Sequence, residues 1–283
     1  MTPPPMASMQ LLKRFITLLT LTALLGLIGC SSLTLAYGQL PLLAGLWADT
    51  YLDLDSKQRA QLKTQLQSWQ AWHRREELPQ WIALLRQANS ALDDGVTHDE
   101  LLALERGARA SVERCLQHAA PLAAPVLAGL KPEQWQHLQK KMEEKTEEWR
   151  DKIGGPRGAD ERAKRYTTNL ERWLGDLDRP LRRQAAADAK SWHFDLALMS
   201  QGRTQRQARL VQALRAWSQQ DFGTGTAMLM QDSQTLPAEM PYREEIIASL
   251  LKLLNGMDTA QRDAVRKHWA DWSNELRSLQ AAH

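Results

Sequence analysis

Residues 54–72 read Leu-Asp-Ser-Lys-Gln-Arg-Ala-Gln-Leu-Lys-Thr-Gln-Leu-Gln-Ser-Trp-Gln-Ala-Trp. Asp55 can accept a free backbone N–H of a first helical turn, and Gln58 can reach back to the N–H of Asp55, which makes a capping box. Leu62, Leu66, Trp69 and Trp72 follow Gln58 at +4, +8, +11 and +14. At about 100° per residue these offsets share one face, so the stretch predicts a capped helix that buries one side.

The pattern recurs. Leu130-Lys131-Pro132-Glu133-Gln134 and Met257-Asp258-Thr259-Ala260-Gln261 repeat it, and Leu177-Asp178-Arg179-Pro180-Leu181 is a degenerate copy without the Gln. Leu138, Met142 and Trp149 continue the stripe behind Gln134, while Val265, Trp269 and Trp272 continue it behind Gln261. Pro132 suits a first helical turn, where its missing N–H is no loss. From Gln58 to Leu181 is 123 residues and from Gln134 to Gln261 is 127; inside each half the copies lie 76 and 80 apart. These spacings suggest a duplicated half, 47–153 and 159–283, about the linker-like Gly154-Gly155-Pro156-Arg157-Gly158.

Composition points the same way. Leu, Ala, Gln, Glu and Arg dominate, with only three Phe and four Tyr against eleven Trp, and no alternating strand pattern of useful length occurs. The expected fold is all-α, a bundle of long amphipathic helices without a sheet. One helix should run from Asp55 past Leu85 with a kink or break at Pro79. Another should run from near Thr97 to Pro121 or Pro125, and the next from Pro132 to Ile153. Further helices are expected near 160–174, 179–200, 203–221, 240–255 and 258–281, with loops at Asp221–Gly225 and Pro237–Pro241.

The N-terminus has a different character. Lys13 and Arg14 precede Phe15–Ile28, fourteen residues without a charge. That order is a secretory signal, too short to be a permanent span. The stretch closes on Leu27-Ile28-Gly29-Cys30, which resembles the bacterial lipobox. The resemblance implies cleavage between Gly29 and Cys30, acylation of Cys30, a lipidated tether over 30–46 and a helical domain over 47–283. With Ser31 and Ser32 following rather than Asp, it implies anchoring in the outer membrane, facing the periplasm. Cleavage removes two bases and no acid from a chain with 36 bases and 33 acids, so the domain is near neutral and no nucleic-acid partner is expected. With Cys30 acylated, Cys115 has no partner for an intrachain disulfide and is expected to be a buried, inert thiol.

No zinc-binding helix, nucleophile elbow or phosphate loop is present, and no two of the seven His lie three or four residues apart. The expectation is a protein that is not an enzyme and has no cofactor or metal. The candidate binding face comprises Gln58, Trp69, Trp72, His73, Glu76, Gln134, Gln261, Trp269 and Trp272. The competing account is plain: the Gln residues cap helices, the Trp residues anchor packing, and Trp72–Glu77 is a solvated face with local Arg–Glu pairs.

Two resemblances bear on function. The aliphatic–cap–x–x–Gln pattern is similar to the Leu-Thr-x-x-Gln motif of the Spy and CpxP periplasmic proteins, which implies a chaperone-like role toward protein clients. Trp47–Leu54, Trp72–Pro79 and Glu171–Leu177, with Cys30, resemble an uncharacterised family of proteobacterial lipoproteins. That implies a helical, membrane-tethered protein and supplies no activity. The expected role is binding, chaperone-like, in the envelope, or else that of a structural or assembly factor for envelope complexes.

Overall fold

The computed structural model describes residues 37–232 and 237–281. The expected signal, Gly29 and Cys30 lie outside the described residues. The chain divides into two units, residues 1–40 and 41–283, and the second is described here. Among the described residues the fold is all-α, with eleven α-helices and no strand.

The helices are α1 (Leu40–Leu52), α2 (Ser56–Glu76), α3 (Leu78–Ala91), α4 (His98–Ala128), α5 (Pro132–Gly154), α6 (Gly158–Leu174), α7 (Arg179–Ser191), α8 (Leu196–Ser218), α9 (Phe222–Asp232), α10 (Met240–Asn255) and α11 (Thr259–Ala281). No helix among the described residues is long and apolar enough to cross a membrane.

Caps place most of the starts. Asp55 and Thr97 each close a full capping box, with Gln58 and Glu100 as the reciprocal partners. Between α2 and α3, Pro79 cannot donate to the carbonyl four residues back, and the helix breaks at Glu77.

Four expectations are corrected. Pro121 and Pro125 do not end α4, which runs on to Ala128. The two prolines lie on the exposed face while Ala120, Ala124, Val126 and Leu127 are buried, so water can satisfy the freed carbonyls and packing holds the helix. The expected 179–200 helix is split at Trp192, and the next helix starts at Leu196 rather than 203, because Asp195 caps the N–H of Leu198 at 2.9 Å. Asp221–Gly225 is not a loop but the start of α9, with Asp221 accepting from Thr224 N at 3.2 Å. Gly225 serves close approach there, since a Cβ would lie 2.4 Å from Trp217 Cδ1. Within Pro237–Pro241, Pro237–Glu239 is a 3-10 turn, and α10 already begins at Met240.

Two main cores result. The first joins α3, α6, α7, α10 and α11 through Leu85, Leu174, Leu181, Leu253 and Val265, among others. The second joins α4, α5 and α8 through Ala120, Trp135, Met142, Val211 and Trp217. Each draws on residues from both sides of Gly154, where only residues 155–157 separate α5 from α6. Among the described residues, every core residue belongs to the unit 41–283, which therefore carries its own hydrophobic cores.

Candidate functional site

The recurring Gln residues meet in pairs. Gln58 Nε2 donates to Gln134 Oε1 at 3.1 Å and Gln134 Nε2 donates to Gln58 Oε1 at 2.9 Å. Each amide also closes its neighbour's helix entrance. Gln58 Nε2 donates to the Gly129 carbonyl at 2.8 Å, and Gln134 Nε2 donates to the Asp53 carbonyl at 2.8 Å. Their oxygens accept the N–H groups of Asp55 and Lys131, each at 2.9 Å.

The other two copies meet likewise, with one change. Gln261 Nε2 donates to the Asp176 carbonyl at 3.1 Å, as Gln134 does to Asp53. Leu181 stands where Gln58 would, so nothing on α7 can accept the Asp178 N–H. Gln261 Oε1 takes that bond itself, at 3.1 Å. The turns leading in share a positive φ, at Asp53 (φ 48°) after α1 and at Gly175 (φ 77°) after α6.

The capping account is therefore the one these bonds realise. Gln58, Gln134, Gln261 and Trp269 are all buried. Trp69, Trp72 and Trp272 are half-buried, and Glu76 is exposed beside Arg75 at 2.7 Å. Trp69 and Trp72 pack with His73 and His118, the latter stacked on Trp72 at 4.1 Å. Burial lowers the proton affinity of both His73 and His118. The expected face is thus dispersed: Gln58 meets Gln134, the Trp69 cluster lies on α2 and α4, and Trp269 and Trp272 lie on α11. Cys115 is a free, half-buried thiol, and burial pushes its pKa up to about 11, away from the reactive thiolate.

The solvated face expected over Trp72–Glu77 is corrected at its end, where Glu77 is a buried charge. Glu77, fully buried at the α2–α3 break, accepts from Ser111 Oγ at 2.7 Å and from Arg114 Nε at 2.7 Å and Nη2 at 3.0 Å. Burial alone would raise the Glu77 carboxyl, but those hydrogen bonds outweigh it and hold its pKa below the ordinary range. The arrangement ties the break in α2–α3 to α4.

The strongest candidate for a ligand site is a cleft of about 490 Å³ between α3, α4 and α10. Trp81, Leu84 and Ala88 of α3 form one wall, Leu101, Leu104 and Ala108 of α4 a second, and Ile246 and Leu250 of α10 a third. Trp269 and Trp173 come in from α11 and α6, and Trp173 stands 48 % exposed. Trp173 stacks on Trp81 at 6.3 Å and meets Trp272 edge-on at 5.4 Å. A second apolar cavity of about 210 Å³ shares Ala88, Leu101, Leu104, Trp173, Leu250 and Trp269 with the first and reaches to Tyr166. Protein interiors rarely leave apolar voids larger than a water molecule, whereas ligand pockets run from about 300 to 1,000 Å³.

A model of DUF6279, a family of unknown function, matches residues 50–243. The chain belongs to this family. No curated protein and no solved structure matches it. The DUF6279 match covers the Gln58–Gln134 pair and the α3 and α4 walls of the cleft. Gln261, Trp269, Trp272 and most of α10 fall after it. Of the sequence-derived site residues only Trp269 lines the cleft. The signal that could have found the rest is Leu101-Leu102-x-Leu104, an apolar arc wider than one packed face, followed by Glu105-Arg106-x-x-Arg109.

Proposed function

We propose that this chain is a non-catalytic binding protein of the bacterial envelope, tethered by an acylated Cys30 to the outer membrane on its periplasmic side, and that it holds an apolar ligand between α3, α4 and α10. The observation that carries the binding role is the cleft: about 490 Å³ lined almost wholly by Leu, Ile, Ala and Trp. Filling it removes apolar surface from water at about 25 cal/mol per Å², which is the driving force for such ligands. The Gln motifs carry no such argument, because their amides are engaged with each other and with helix ends. The membrane tether draws on the signal and lipobox pattern. It also draws on α1, which buries no residue and leaves Leu42, Leu43, Leu46 and Trp47 exposed shortly after Cys30 in sequence.

The test uses residues 31–283, which contain the whole unit with its cores. Titration with the neutral dye N-phenyl-1-naphthylamine is expected to give saturable fluorescence. Ala108→Trp or Leu250→Trp, each filling the cleft, should weaken binding about tenfold, a change of about 1.4 kcal/mol, with helix content unchanged. Equal affinity in the filled variants, or no saturable binding at all, would overturn the reading.

A further inference from the structure

The cleft has a charged end. A depression of about 310 Å³ adjoins it, lined by Leu102, Glu105, Arg106, Arg109 and Arg243, and Leu102, Glu105 and Arg243 line both spaces. Among the described residues, Glu105 and Arg243 are the only charged ones on the cleft wall. Arg243 donates through Nη2 to Glu105 and through Nη1 to Glu244 at 3.0 Å. Among the described residues, the lining of the depression thus holds three guanidinium groups and one carboxylate. The apolar gap leads at its other end into the smaller cavity toward Leu254 and Tyr166. A slot that is apolar along its length and cationic at one end matches a molecule that is apolar along its length and anionic at one end.

Resting on the cleft as a binding site, we propose that its ligand is an acyl-chain amphiphile with an anionic headgroup, a carboxylate or a phosphate. The chain lies along Leu84, Leu104 and Leu250, and the headgroup lies against Arg106, Arg109 and Arg243. The headgroup takes the place of the Glu105 carboxylate on Arg243, an exchange of one anion for another on a planar guanidinium suited to two oxygens. Half-exposed charges at the mouth keep the interaction sensitive to salt.

Displacement of the neutral dye from the 31–283 chain by four probes of equal chain length tests this: palmitate, hexadecyl phosphate, hexadecanol and hexadecyltrimethylammonium, all below their micelle concentrations. Palmitate and hexadecyl phosphate are expected to bind about tenfold more tightly than hexadecanol, and the cation most weakly; whichever anion binds more tightly identifies the headgroup. Arg243→Gln and Arg106→Gln should each shrink the ratio of palmitate to hexadecanol affinity to within about threefold, and Glu105→Gln should enlarge it. Should Arg243→Gln fail to fold, the exposed Arg106 gives the same reading. Hexadecanol matching palmitate while the dye still binds would overturn the headgroup assignment and leave the cleft reading standing. Absence of dye binding would overturn both.

Discussion

At the scale of single residues, Gln134 is the most connected side chain of the recurring motif. Its amide closes two helix entrances and a reciprocal bond with Gln58, the last of these fully buried. Gln134→Leu keeps the volume, removes the bond to the Asp53 carbonyl and orphans the buried Gln58 amide. A cost of about 2–3 kcal/mol in urea unfolding is expected, and a double-mutant cycle with Gln58→Leu should show coupling of about 1 kcal/mol or more. Additive effects would contradict the pairing. Leu181 shows the same economy from the other side, since an apolar residue there is tolerated once Gln261 supplies both its donor and its acceptor. The motif was legible in sequence as a cap, because residue type and spacing are local. That the caps would meet was not, because the contact joins residues 76 positions apart.

At the scale of elements, the starts at Asp55, Thr97, Pro132 and Asp258 were readable from capping chemistry. Pro121, Pro125 and Gly225 misled for one reason: their local preference for a break is overridden by what the helix packs against. The α2–α3 break is held by Glu77 on Ser111 and Arg114, and its pH dependence follows. Glu77 has a lowered pKa in the fold, so its stabilisation is present above the ordinary carboxylate range and is lost as pH falls through the folded value. His73 also has a lowered pKa; below about pH 6.5 the unfolded chain takes up that proton first, which again favours unfolding in acid. The urea midpoint should therefore fall as pH drops from about 7 to about 4. Glu77→Gln should lower it at neutral pH by an amount equivalent to about 2 kcal/mol and flatten its fall below about pH 5. An unchanged acid limb would remove Glu77 from that role.

At the scale of the molecule, α3 joins a core otherwise built from α6, α7, α10 and α11, while α8 completes the core of α4 and α5. The segments either side of Gly154 thus complete each other's interiors. The cleft is a product of this arrangement: α10 packs on α7 but not closely on α3 or α4, and the gap is where the apolar faces of the three fail to close. A stripe of Leu reads alike in sequence whether a neighbouring helix or a ligand covers it, which is why the site was not legible there. A photoactivatable palmitate analogue, crosslinked to the 31–283 chain and located by peptide mass spectrometry, tests the central claim most directly. Label is predicted on the peptides carrying Trp81–Ala88, Leu101–Ala108 and Arg243–Leu250. Label confined to Leu42–Trp47 of α1, or spread without preference, would contradict it.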